Sequence, residues 1–342
     1  MTILLFIIGL SGLIIVHEFG HFIAAKKSGL LVEEFGFGFP PRLFSKKIGE
    51  TVYSFNLLPL GGFVRIHGEK KDEENPESLE LQKRSFWFLP VWKRSLIVTA
   101  GVIMNFLVGW IIISSIFMVG IPEVVVVTNV VPNTPAESAG IKPGDHIVGF
   151  STTQSFIDFV SSSAGNPVAF EVLRGSEKIE INTTPRLNPP EGEGSLGIML
   201  AEGGIPKHSF FSAIGQGFTA SLKLLGSIFA ALFGLIAGIF TGTAGLDQFV
   251  GPVGIFQIAS QSAQFGIVYL LQLVGLISLN LVALNILPLP ALDGGRLVFL
   301  IFEKIKGSPL PQKFEIWANA LGFILLLLLM IVITIKDVIR VL

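Results

Sequence analysis

The sequence contains no cysteine and only two tyrosines in 342 residues, and only 14% of it is charged. Without cysteine there is no disulfide, no thiolate zinc site and no cysteine nucleophile, and the redox compartment leaves no trace. A net charge of −1 offers no excess of positive charge for a nucleic-acid partner. What fills the space is hydrocarbon: 51% of the residues are hydrophobic, and the mean hydropathy is +0.70. A soluble domain this apolar would leave too much of its surface unfavourably hydrated. Runs near 20 apolar residues recur, the length that crosses roughly 30 Å of bilayer hydrocarbon. The chain reads as an integral membrane protein.

Spanning helices are expected at residues 2–25, 95–120, 267–290 and 317–335. The first run lacks the cationic start of a signal peptide, and its first positive charges, Lys26 and Lys27, come after it. That order predicts an uncleaved helix with its N-terminus outside. Residues 26–94 hold half of the chain's 24 Lys and Arg, which assigns that loop to the cytoplasm. Within it, "FGFGFPPRLF" and "TVYSFNLLPLGGFVRI" are strand-like, with a turn at Leu60-Gly61-Gly62, and residues 68–84 read as a solvated charged linker. Residues 122–200 switch to short β-branched runs separated by turn residues, and carry more Asp and Glu than Lys and Arg. They predict a small water-exposed domain outside the cytoplasm. Residues 209–241 are long and apolar but studded with Gly and Ser and interrupted by Lys223.

Against this background "IIVHEFGHFIAA" (14–25) stands out, because a titratable group at membrane depth is costly and marks a functional site. His17 and His21 are four residues apart and share one helix face. Two imidazoles so spaced can hold one Zn²⁺, with Glu18 beside it as general base. A catalytic zinc takes three protein ligands and a water. His67, His146 and His208 lie in polar stretches and read as surface residues. Asp293 is the better third candidate. It follows an apolar helix bearing Asn280 and Asn285 that breaks at Pro288 and Pro290. Irregular backbone at that depth is tolerated only beside protein or a watery cavity. The plain alternative is an Asp-Gly turn that merely ends the helix.

Together these segments resemble the site-2 proteases, intramembrane zinc metalloproteases, nearly end to end, and most closely the bacterial regulator-of-sigma-E protease. His17, Glu18 and His21 match the zinc and catalytic motif, and "LPALDGG" matches the segment whose aspartate, here Asp293, is the third ligand. The resemblance implies substrate handling by Asn280 and Asn285, and membrane-embedded β elements at "FGFG" and "LLPLGGFVRI"; "GPVGI" (251–255) also fits. "VVPNTPAESAGIKPGDHIVGF" resembles a PDZ domain, with Ala139-Gly140-Ile141 and Pro143-Gly144-Asp145 as its turn. Bacterial relatives often carry two such domains; this chain has one. "AGVIMN" (100–105) lacks the Pro common after the Gly, though Asn105 is retained.

For Asp293 to reach the metal, helix 267–290 must run inward like the first helix, so residues 121–266 cross an even number of times. Residues 209–241 are therefore expected to hug the membrane or form a re-entrant hairpin. The expected architecture is an α-helical polytopic membrane protein of about four transmembrane helices, with membrane-associated β elements and an inserted PDZ-like α/β domain. Its divisions are an N-terminal membrane region (1–121), the PDZ-like domain (122–200), a membrane-associated helical region (201–266) and a C-terminal membrane region (267–342). The expected activity is zinc-dependent proteolysis within the bacterial cytoplasmic (inner) membrane. An exposed β edge, with Leu60, Gly61, Gly62, Asn280 and Asn285 beside it, would hold an unwound substrate by main-chain hydrogen bonds. By resemblance, the substrates are single-pass membrane proteins already trimmed by another protease: anti-sigma factors or signal-peptide remnants. The alternatives are a membrane ion transporter, against which no inverted repeat is visible, and an inactive PDZ-bearing scaffold, for which Glu18 would be superfluous.

Overall fold

The computed structural model describes residues 2–69, 79–175, 177–190, 192–242, 250–264 and 266–341. Most of the charged linker and part of 242–266 fall outside these residues. In chain order the elements begin with α1 (Thr2–Lys27), β1 (Val32–Ile48), β2 (Thr51–Ile66), α2 (Leu79–Lys83) and α3 (Val91–Val119). Next come β3 (Ile121–Val130), α4 (Pro135–Ser138), β4 (His146–Ile147), α5 (Thr153–Ser162), β5 (Val168–Arg174), β6 (Glu177–Thr183) and β7 (Ile198–Ile205). The chain closes with α6 (Phe210–Thr241), α7 (Pro252–Gln264), α8 (Ile267–Ile286), α9 (Asp293–Lys306) and α10 (Gln312–Val341). Five of these helices, α1, α3, α6, α8 and α10, are long and apolar enough to cross a membrane. The chain divides into two compact units: residues 1–113, 218–260 and 270–342, and residues 114–217 with 261–269.

The first unit is built on α1, α3 and α8, drawn together by small residues. A Cβ at Gly20 would meet the backbone of Ala100; one at Gly109 would lie 2.9 Å from Leu279, and one at Gly275 3.1 Å from Ile112. Inside a bilayer, helices gain little from the hydrophobic effect and associate through such close packing. The pairings fix direction. Gly20 faces Ala100 while His17 faces Asn105, so α1 and α3 are antiparallel. Ser278 donates to the Asn105 carbonyl at 2.7 Å while Gly275 faces Ile112, so α8 opposes α3 and runs parallel to α1. Phe6 and Leu13 pack against Leu270 and Val274, joined by Ile255 and Ala259 of α7. At the far end of α10, Asp337 accepts from the Gly254 N–H at 2.8 Å and ties α7 down.

Strands β1 and β2 fold on each other twice. Residues 32–37 pair with 62–66 (Val32↔Ile66 to Phe37↔Gly62) and also with 52–55, which in turn pair with the far arm of β1 (Phe44↔Phe55 to Lys47↔Val52). The result is four rows wide, with 62–66 forming one edge. The fold-back between rows needs the turn anticipated at 60–62, and Gly61 supplies it with φ +113°, a backbone region costly to side chains.

Two expectations change here. The helix expected over 267–290 stops at Ile286, because Pro288 and Pro290 cannot continue an α-helical ladder. Residues 210–241 form one continuous helix with no reversal, so the re-entrant option for this segment is not what the chain adopts.

In the second unit, five antiparallel strands lie in the order β6-β5-β4-β3-β7. Val168, Phe170 and Val172 alternate inward along β5 and meet Val125, Val127, Ile147 and the Phe156 and Val160 face of α5. The turn around Pro143-Gly144-Asp145 is pinned by a buried carboxylate. Asp145 accepts two bonds from Arg174, both 2.7 Å, and one from the Lys142 N–H at 2.9 Å.

Candidate metal centre

His17 and His21 sit one turn apart near the end of α1, with Nε2 atoms 3.2 Å from each other. Asp293 arrives from the other end of the sequence. After α8 stops, Ala291 turns the chain with φ +74° and donates its N–H to Asn319 at 2.9 Å, and α9 begins at Asp293. The two glycines that follow let α9 start tight against this turn, since a Cβ on either would meet the carbonyls of Leu287 or Leu289. Asp293 Oδ2 lies 3.1 Å from His17 Nε2 and 3.4 Å from His21 Nε2.

Three potential donor atoms thus crowd one point, and their hydrogen bonding indicates why. His21 Nδ1 is 2.8 Å from the Ile97 carbonyl, a contact that requires the proton on Nδ1 and leaves a lone pair on Nε2. His17 Nδ1 faces the fully buried amide of Asn105 at 3.4 Å. With that amide turned to present Oδ1, His17 Nδ1–H gains an acceptor, and a buried oxygen that otherwise has no partner is satisfied. Asp293 Oδ2 is likewise buried without a donor. Two imidazole lone pairs and a carboxylate aimed at one another repel unless a cation lies between them. At zinc–ligand distances of about 2.0–2.1 Å, the edge of a tetrahedron is about 3.3 Å, which the three spacings match. His17, His21 and Asp293 therefore fit a zinc ion, and among the described residues they are the one such cluster.

Gly101 makes room for this arrangement. A Cβ there would fall 2.5 Å from His21 Nε2 and 2.8 Å from His17 Cε1.

Glu18 lies beside the donors in a cavity of about 240 Å³, whose walls include Phe63, Val64 and Ile66 of β2 and Arg296 of α9. The Glu18 side chain reaches to 3.0 Å from where a Gly62 Cβ would be, so the edge row 62–66 runs directly past the candidate base. Arg296 pairs with Glu69 at 3.2 Å. The Glu69 carboxylate, with Asp293 and Glu18 adding to it, holds Arg296 firmly charged.

The residues expected to act together are not all here. His17, Glu18, His21, Asp293 and Gly62 converge, and Gly61 sits at the bend leading into the edge row. Leu60 lies in β2 just before it. Asn280 and Asn285 are absent from the residues lining the cavity, and the Asn280 amide donates to Leu276 O within its own helix at 3.0 Å. His67 is a correction: it is buried rather than on the surface, because its backbone is held between Leu31 and Phe86, and its Nδ1 pairs with Glu33 at 2.8 Å. Asn105, Gly101 and the Ile97 carbonyl were not foreseen as parts of the site. Each acts on a histidine 76 to 88 positions away in sequence, or meets one across a helix pair. Arg296 had a signal, being one helical turn beyond Asp293.

The sequence matches peptidase family M50 over residues 5–329. A candidate zinc metalloprotease of Clostridium perfringens (strain 13 / Type A) is 37% identical over 99% of both chains. The regulator of sigma-W protease RasP of Bacillus subtilis (strain 168) is 31% identical over 99% of this chain and 98% of its own. The zinc metalloprotease RasP of Shouchella clausii (strain KSM-K16) is 31% identical over 98% of both. The chain belongs to peptidase family M50, the site-2 proteases, and is a multi-pass membrane zinc metalloprotease.

Proposed function

We propose that this protein cleaves single-pass membrane proteins within their transmembrane segments, using zinc held by His17, His21 and Asp293. The observation that carries this reading is the meeting of three donor atoms with Glu18 under an open β edge. When bound, zinc would polarise the scissile carbonyl and lower the pKa of a water toward 7. Glu18 takes that water's proton and returns it to the leaving amine. A helical substrate hides its carbonyls, so it must first unwind. Row 62–66, with one side unpaired among the described residues, offers main-chain groups along which an extended segment can lie past Glu18. Asn280 and Asn285 handle substrate further out.

Four helices cross the membrane in this reading, with the N-terminus outside the bacterial cytoplasmic membrane. The parallel course of α1 and α8 supports it, since the chain leaving α3 must then return to the side it left before α8 begins. A lone fifth crossing by α6 would run against that course. α7 cannot reverse one: its 13 residues span about 20 Å, short of roughly 30 Å. The five-stranded unit is a PDZ-like domain on the outer side; its strand order and the "AGIKPGD" turn support the likeness. There it would bind a substrate terminus or exclude bulky ectodomains. The substrate class is anti-sigma factors or signal-peptide remnants, pre-cut by another protease, and the sigma-W role in the name of the Bacillus subtilis relative supports it.

The test is a cleavage assay in detergent on a panel of single-span peptides, wild type against Glu18→Gln. Cleavage by wild type alone is expected; equal cleavage by both refutes Glu18 as base. For topology, a single Cys at position 262 should label from the outside, and labelling only from the cytoplasm rules out four spans.

A further inference from the structure

Three arginines of this protein grip their carboxylates with two prongs. Arg84 grips Glu50 with both terminal nitrogens, Arg94 grips Glu303 likewise, and Arg174 holds Asp145 through Nε and Nη2. Arg296, like Arg42, has only one prong, but it faces the cavity of the candidate metal centre. It meets Glu69 through Nη1 alone, at 3.2 Å, and among the described residues this is its one hydrogen bond. A guanidinium carries five N–H donors, so four remain unspent. About half of its side-chain surface is open, and it lines the same cavity as His17, Glu18, His21 and Asp293. A cation this incompletely satisfied, in a membrane enzyme's cavity, is arranged for something that enters.

What enters is a peptide bond. When the water oxygen attacks the carbonyl carbon, the C=O π pair moves onto oxygen and leaves an oxyanion. We propose that Arg296 is a catalytic residue that donates hydrogen bonds to the scissile carbonyl oxygen and binds it most tightly as that oxyanion. Arg296 transfers no proton. The water's proton goes to Glu18 and then to the nitrogen as the C–N bond breaks, and the oxyanion pair reforms the carbonyl. Glu69, just past row 62–66, holds the guanidinium beside the substrate strand until then. This rests on the proteolytic reading of the cavity, with Glu18 as base.

The experiment uses the full-length enzyme in detergent, with zinc content, kcat and KM measured on the same preparations. It adds the affinity of a phosphinic peptide, an uncleavable anionic tetrahedral mimic of the substrate. Arg296→Ala should keep its zinc and lose about 100-fold in kcat, as expected for one oxyanion donor. Its KM should stay within about threefold, while phosphinic-peptide affinity falls in parallel with kcat. Arg296→Lys should retain part of both, and added guanidinium ion should restore activity to Arg296→Ala but not to Glu18→Gln. Phosphinic affinity and kcat near wild type in Arg296→Ala would overturn the proposal. So would loss of zinc in both Arg296→Ala and Arg296→Lys, which would make Arg296 a prop for Asp293. A wild type without zinc or cleavage would instead bring down the proteolytic reading, which the Glu18→Gln arm probes separately.

Discussion

α3 and α8 differ sharply from α6 and α10, although all four are apolar enough to span a membrane. In the most apolar stretch of α3 and of α8, 39% of the residues are buried inside the protein; in α6 and α10 the share is 6%. Hydrophobicity therefore does not decide which helices carry the chemistry. The inner pair has glycines at its contacts and buried polar atoms at its centre: the Asn105 amide, and Ser278 with the Asn105 carbonyl it donates to. The outer pair presents large side chains such as Phe233 and Leu325 outward. Metal ligands tolerate little displacement, so the helices that hold or brace them must be locked together. α6 is free of that demand, and α10 shares in it only where Asn319 and Gly322 meet the turn before Asp293.

The sharpest break of this contrast is a glycine swap. Gly101→Leu should abolish zinc binding and cleavage, since even the first carbon of the new side chain would fall within 2.8 Å of both histidine rings. A Cβ at Gly226 on α6 would meet nothing within 4 Å, and Gly226→Leu should leave zinc content at the wild-type level. If both variants behave alike, the inner and outer helices are not distinct in the way described.

A smaller loss is expected at Asn105, which braces a ligand without being one. Asn105→Leu should weaken zinc affinity by about 10–100-fold, as outer-shell partners of metal-bound histidines do. Competition with a chelator would measure it, and an unchanged affinity would remove Asn105 from the site.

The inner site was partly legible in the sequence, for physical reasons. His17, Glu18 and His21 announce themselves because titratable groups in an apolar helix are costly and their spacing matches one helix face. Asp293 could be found because two prolines break the helix before it. Gly101, Asn105 and the Ile97 carbonyl could not, because their roles depend on α3 lying antiparallel to α1, and local pattern is silent about partners 76 to 88 residues away. The short β-branched runs read within 122–200 include β3, β5 and β6, where such residues are concentrated. β7 was not foreseen, since "AEGGI" has weak strand propensity and relies on pairing with β3. The ends of α6 and α8 depended on continuity and on proline, and only the second leaves a mark in the sequence.

Weaker still should be the tie between α10 and α7. Asp337→Ala removes the acceptor of the Gly254 N–H and should cost roughly 1–3 kcal/mol. It would appear as a lowered melting temperature in detergent, with zinc content unaffected. Least of all should be the outward truncations Phe233→Ala and Leu325→Ala, within about 0.5 kcal/mol of wild type. A large loss from either would mean that the outer helices bear load after all.

The most direct test compares metal and turnover on the same preparations of wild type, Glu18→Gln and Asp293→Asn. Wild type should hold about one zinc per chain, as a single three-ligand site requires, and should cleave. Glu18→Gln should keep that zinc and lose cleavage, because the ligands remain and the base is gone. Asp293→Asn should lose both, since a neutral amide is a poor ligand for this cation. Full zinc retention in Asp293→Asn, or its loss in Glu18→Gln, would contradict the division between ligands and base on which the whole account depends.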